Sequence, residues 1–288
     1  MRKVVLFGTN RGGVSPPADD RFIFTVKTDN AGTSASNQFT IPTSTTGITQ
    51  AFLYDIETSD GQTITGNTGN TTITFPSAGT YDIRISGSFP YMRFNNGGDR
   101  LKLLDIKNFG IYALGSTNQT SAFRGCSNMD ISAADIGHFE NVTSFNATWQ
   151  GCSSILVFPL IDTSGGIGLF SAAWAGCSSL TSFPALDFSN AATTYSFQNA
   201  WLGCTYLANF PPNMFNNTSA RLYDSVFVNT NLTTQSIDDI LVSLDTSGVS
   251  NGTFSQSGGQ APSATGEAAI NSLVGKGWTI TVTGGYTP

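Results

Sequence analysis

Three stretches of the chain share one pattern: WQGCSSILVFP at 149–159, WAGCSSLTSFP at 174–184 and WLGCTYLANFP at 201–211. In each, an aromatic residue stands three positions before a cysteine, a glycine directly precedes the cysteine, and Phe-Pro follows it. Outward from these copies, AFRGCSNM at 122–129 is an earlier copy and Phe227 begins a later one. The sequence thus contains five repeats. Their shared aromatic and cysteine positions are Phe123, Cys126, Trp149, Cys152, Trp174, Cys177, Trp201, Cys204 and Phe227.

The cysteines are spaced 26, 25 and 27 residues apart, inside the range of about 20–29 residues found for leucine-rich repeats. One such repeat cannot bury its own apolar face, so successive repeats stack and each fixed apolar position becomes a ladder through the core. We therefore expect the repeat tryptophans in the core and not on a sugar-binding surface. The stretch before each aromatic predicts a short helical turn, and the stretch after each cysteine predicts a short strand ending at proline.

The four cysteines are open to three interpretations. Stacked repeats would bring their Cα atoms to about 5 Å, which is within disulfide range, but a lateral ladder orients them poorly for a bond. The absence of a CxxC pair or a Cys/His cluster in the sequence disfavours zinc. We expect four reduced, buried cysteines that act as small hydrophobic residues.

These repeats resemble the BspA-like leucine-rich repeat, whose unit carries an aromatic residue, a cysteine, an aliphatic residue and a proline at similar spacing. The resemblance covers residues 122–235, and the stretches RLKLLDIKNFG (100–110) and INSLVGKGWTITVTGG (270–285) are similar to the entry and exit of such arrays. The family comprises surface and adhesion proteins of bacteria and protists, with related arrays in bacterial viruses. The resemblance implies binding to other surfaces and no enzymatic activity.

Residues 22–94 predict seven short strands, because FIFTVKT, QFTIP, AFLYDIET, QTITG, TTITFP, TYDIRISG and YMRF alternate apolar with polar residues between turn-forming spacers. Asp60-Gly61 predicts a hairpin turn. The segment ITFPSAGTYDIRISG (73–87) resembles the C-terminal hairpin of PKD-type, immunoglobulin-like domains. The predicted fold is mainly β: an extended arm at 1–21, an immunoglobulin-like β-sandwich at 22–98, and a leucine-rich-repeat solenoid of about five turns with end caps at 99–288.

Composition excludes several classes of protein. Of the 288 residues only 11% are charged, yet 21 are phenylalanine, so the chain can pack a core and is not an ordinary disordered protein. A net charge of −6 argues against nucleic-acid binding, and no apolar run approaches the roughly 18–20 residues that span a bilayer. The N-terminal apolar run, 4–7, is shorter than a secretion signal requires, which predicts synthesis in a cytoplasm.

The sequence shows no catalytic set and predicts no cofactor. His138 is the sole histidine and no nucleophile motif accompanies it. The carboxylate groups at 238–239, 19–20 and 55–60 are interpreted as a helix start, part of the arm and a hairpin, although paired carboxylates could also serve a glycan hydrolase.

Three aspartates, Asp135, Asp162 and Asp187, recur once per repeat, and Asn213 holds the same place in the next repeat. A row of carboxylates along one edge is a weak candidate for Ca²⁺ binding. The simpler interpretation is that each side chain accepts backbone N–H groups and caps a turn, since asparagine can do the same without charge.

Together these features predict a non-enzymatic virion protein of a bacteriophage: a tail-fibre, receptor-binding or capsid-decoration component. The arm would attach it to other virion proteins, and the solenoid would contact a glycan or protein of the host surface. Exposed contacts are expected at Tyr195, Tyr206 and Tyr223, and homo-oligomerisation is left open. The alternative is a bacterial cell-surface adhesin.

Overall fold

The computed structural model of the chain describes residues 19–163, 169–191 and 196–287. The fold is mainly β. Residues 1–18 of the expected arm, and Tyr195, lie outside the described residues. The elements are β1 (Phe22–Lys27), β2 (Gln38–Ile41), β3 (Leu53–Thr58), β4 (Thr63–Asn67), β5 (Thr71–Thr74), β6 (Thr80–Ser88), a 3-10 helix (Arg100–Lys102), β7 (Leu103–Asn108), β8 (Asp130–Ile131), β9 (Leu222–Phe227), α1 (Thr234–Thr246), β10 (Thr253–Gln256), α2 (Ala264–Gly275) and β11 (Thr279–Thr281).

Two sheets organise the first part of the chain. Six strands form one sheet in the order β4-β3-β6-β1-β7-β8, and β2 pairs with β5 in the other. In β3, every second side chain is buried. Tyr54, Ile56 and Thr58 face the core, and the side chains between them are exposed. The turn between β3 and β4 contains Asp60 and Gly61, as the sequence predicts, with Gly61 at a φ of 91°.

The seventh predicted strand, YMRF at 91–94, does not form. Met92 makes only a single bridge to Thr43. The backbone N–H groups of Phe94 and Asn96 instead donate to the carbonyls of Ala122 and Arg124. This stretch is therefore hydrogen-bonded to the first repeat and does not form a strand of the sandwich.

The large sheet continues past residue 98, the end of the predicted sandwich. β7 pairs antiparallel with β1, and β8 pairs in parallel with β7. Directly after residue 98, Asp99 and Lys102 form a buried polar cluster. The carboxylate of Asp99 accepts the backbone N–H groups of Thr33, Ser34 and Thr40, and the ammonium of Lys102 donates to carbonyl groups of Ser34 and neighbouring residues.

The repeats lie side by side through backbone hydrogen bonds. The N–H groups of Trp149, Trp174 and Trp201 donate to carbonyls of the following repeat at 2.8, 2.9 and 3.0 Å. The predicted helical turn before each aromatic is wrong, because Ala147 and Ala172 have φ angles of 51° and 53°, whereas a right-handed helix needs negative φ. Consecutive hydrogen-bonded turns occupy this stretch, and the predicted strands after the cysteines are reduced to single parallel bridges.

After the repeats, the chain again places parallel segments side by side, but here they are regular strands connected by helices. β9, β10 and β11 form a parallel sheet, with α1 between the first two strands and α2 between the last two. Thr233 caps α1 and Ser263 caps α2 through their side-chain oxygens. Neither helix, nor any other in the described part of the chain, is long and apolar enough to cross a bilayer.

Candidate functional site

The repeated aromatic residues form a stacked column in the core. The rings of Trp149 and Trp174 lie 5.7 Å apart, those of Trp174 and Trp201 5.0 Å, and those of Trp201 and Phe227 5.1 Å, all within 11° of parallel. Phe123, the first aromatic of the series, contacts Tyr112 at 5.6 Å. All nine residues that the sequence assigns to the ladder are fully buried.

A second aromatic column was not identified from the sequence. Phe145, Phe170, Phe197 and Tyr223 stack at centroid distances of 5.3, 5.3 and 5.2 Å. Each lies four residues before an aromatic of the first column, and that spacing is the signal that could have revealed it. The expectation that Tyr223 is an exposed contact is therefore wrong, because its ring ends this column and is fully buried.

The phenylalanines of the Phe-Pro pairs form a third column. The rings of Phe158 and Phe183 lie 5.7 Å apart, and those of Phe183 and Phe210 lie 5.5 Å apart. They meet the tryptophans edge to face, for example Phe183 and Trp174 at 4.8 Å. The interior of the repeats is thus filled by side chains, so any binding must use the outer surface.

The cysteines link successive repeats by hydrogen bonds. The thiols of Cys152, Cys177 and Cys204 donate to the carbonyl of the aromatic residue in the preceding repeat at 3.1, 3.3 and 3.2 Å. All four cysteines are buried and unpaired. Burial raises the pKa of each thiol, to about 12 for Cys204. A protonated thiol is what these bonds require, and it is a poor nucleophile.

The three periodic aspartates are divided between two surface depressions. Asp135 lines one of them and accepts the N–H groups of Phe109 and Gly110 at 2.8 and 2.7 Å. Asp162 and Asp187 line the other, and Asp187 accepts the N–H of Ser189 at 2.8 Å. Within the described residues, no three His, Cys, Asp or Glu side chains are grouped so that they could hold a metal ion. The contacts of Asp135 and Asp187 are those of turn caps.

The remaining carboxylates also have structural partners. Asp19 pairs with Arg21 at 2.7 Å, and this hydrogen bond lowers the pKa of Asp19. Asp238, within α1, accepts the backbone N–H of Ser263 at 3.0 Å and so connects α1 to the cap of α2. His138 lies 3.6 Å from Glu140 at the exposed surface. These contacts show Asp19 and Asp238 in structural hydrogen bonds.

Large apolar side chains are exposed on the outer surface of the repeats. Leu156, Val157, Leu160 and Tyr206 are 55%, 57%, 58% and 65% exposed, and we call this set the outer strip. Leu156 and Tyr206 line one shallow depression of about 280 Å³ together with Ser179 and Thr181. Tyr206 is exposed, as the sequence predicts, and its role as a contact stays a prediction.

Comparison of the chain with models of protein families, with curated proteins and with solved structures finds no match.

Proposed function

We propose that this chain is a non-enzymatic binding protein of a bacteriophage particle, a tail-fibre, receptor-binding or capsid-decoration component. In this proposal an immunoglobulin-like β-sandwich carries a BspA-like leucine-rich-repeat solenoid. Support for the solenoid comes from the parallel hydrogen bonds and stacked rings of successive repeats. Support for the sandwich comes from the two sheets formed by β1 to β8.

The observation that carries a binding role is the outer strip. The core of the repeats is already packed with aromatic rings, yet Leu156, Val157 and Leu160 remain more than half exposed within five residues of one another. Grouped apolar side chains on a soluble surface mark sites of interaction. Ser179 and Thr181, which line the same depression as Leu156 and Tyr206, carry hydroxyl groups and no charge, which suits a glycan or a neutral protein surface.

Adsorption to bacterial cells tests the binding role. The purified chain is expected to bind host cells, and Tyr206→Ser and Leu156→Ser are expected to weaken that binding. Leu53→Ser removes an equally exposed apolar side chain on β3, away from the repeats, and serves as the matched control. Equal loss in all three variants would contradict a role for the outer strip.

Mass spectrometry of purified phage particles tests the virion assignment. Peptides of this chain are expected in the particles. Their absence, together with recovery of the chain from the surface of uninfected bacteria, would replace the virion assignment with a bacterial adhesin.

A further inference from the structure

A pocket of about 330 Å³ lies where the first part of the chain meets the first two repeats. It is lined by two arginines, Arg100 and Arg124, and by three uncharged polar side chains, Asn96, Ser127 and Gln150. Its volume is at the lower end of the range of about 300–1,000 Å³ found for small-molecule sites. The pocket does not overlap the outer strip.

The two arginines carry a positive charge that the described part of the chain does not balance. No carboxylate there forms an ion pair with either of them, whereas Arg21, Lys102 and Lys276 each have one. Among the described residues, the buried Nε atom of Arg100 finds no hydrogen-bond partner. Arg100 and Arg124 thus place two positive charges without a paired carboxylate at one pocket of the described structure.

Two glycines with positive φ angles, 79° and 76°, form part of the pocket wall. Gly125 and Gly151, which precede the first two cysteines, both line it. A Cβ atom on Gly125 would lie 3.0 Å from the Nε atom of Arg100 and 2.2 Å from the side-chain oxygen of Asn96. Any side chain at this position would therefore clash with Asn96 and press on Arg100.

We propose that this pocket binds an oxyanion, and that its occupant is the carboxylate of an acidic sugar. A guanidinium group offers parallel N–H donors that match a carboxylate. The amides of Asn96 and Gln150 and the hydroxyl of Ser127 can donate to and accept from sugar hydroxyl groups. Sulfate and phosphate share the oxyanion chemistry but lack hydroxyl groups of this kind. The inference rests on the glycan-binding part of the proposed function and names its substrate class.

Titration calorimetry of the purified chain with glucuronate, glucose and sulfate tests the proposal. Glucuronate is expected to bind, and both glucose and sulfate are expected to bind at least about tenfold more weakly. R100Q and R124Q are each expected to lower the glucuronate affinity by about tenfold or more, and Q150A to lower it without a change of charge. R221Q is the control, because Arg221 is exposed, lies outside the pocket and carries the same charge.

Several outcomes would overturn the proposal. Sulfate that binds as tightly as glucuronate would reject the acidic sugar, and equal losses in R221Q and R100Q would reject the pocket. Should R100Q fail to fold, unchanged affinity in folded R124Q and Q150A would reject it equally. Adsorption to host cells that persists while glucuronate fails to bind would reject this pocket and leave the proposed function standing.

Discussion

At the scale of single residues, Trp174 has the most informative position. Its ring stacks on Trp149 and Trp201, and its indole N–H has no hydrogen-bond partner in the described part of the chain. Trp174→Ala removes the ring and leaves a cavity, so we expect a loss of about 3–5 kcal/mol in the free energy of unfolding. Trp174→Phe is expected to cost less, because Phe123 and Phe227 hold the same position in the outer repeats. Urea unfolding measures both, and equal losses would contradict the argument.

The thiols predict a dependence of stability on alkaline pH. Burial raises their pKa in the folded state, so the folded chain retains protons that the unfolded chain releases. Their contribution to the free energy of unfolding is therefore complete below about pH 9 and declines as the pH rises toward about 12, the folded value for Cys204. Denaturant unfolding over this range measures the decline, and Cys204→Ala should make it shallower. Fast reaction of the native thiols with a thiol reagent would contradict their burial.

At the scale of elements, Asp135 connects two segments of chain. Its two carboxylate oxygens accept the N–H groups of Phe109 and Gly110, directly after β7. Asp135→Ala leaves both donors without this partner, and we expect a loss of about 1–3 kcal/mol in the free energy of unfolding. Asp135→Asn keeps one acceptor and should lose less, whereas Asp239→Asn is a charge-matched control on α1. Thermal unfolding measures these changes, and stabilisation by added Ca²⁺ that Asp135→Asn abolishes would contradict a purely capping role.

The elements also show what the sequence could and could not reveal. Strands β1 to β6 were predictable, because their sequences alternate apolar with polar residues, and in β2 and β3 every second side chain is buried as that alternation requires. The turns of the repeats were not, since alanine at Ala147 and Ala172 favours a helix by its own preference and gives no sign of a positive φ. The arginine pocket was missed for a different reason: Arg100 and Arg124 are brought together only when β7 and the first repeat are in place.

At the scale of the whole molecule, the two predicted parts share one core. Buried apolar residues form a continuous cluster from Phe22 to Val282. β7 belongs to the sheet of β1, and the N–H groups of Phe94 and Asn96 bind the first repeat. The predicted boundary between residues 98 and 99 falls next to Asp99, which is buried and hydrogen-bonded. Composition and turn signals could not show that the two parts share a core, because the contacts between them join residues far apart in the sequence.

Because the two predicted parts share one core, we expect them to unfold together. The positions of the tryptophans make this measurable. All four tryptophans lie beyond residue 148, so their fluorescence reports on the repeats and C-terminal elements alone. Asp99→Ala breaks a buried network of the first part, at a cost of about 3–5 kcal/mol. If the two parts unfold together, Asp99→Ala should lower the unfolding midpoint measured by tryptophan fluorescence as much as the midpoint measured by circular dichroism of the strands. Asp29→Ala, which removes an exposed carboxylate paired only with Lys27, should shift neither. A tryptophan transition that stays in place while the strands unfold earlier would show two independent domains.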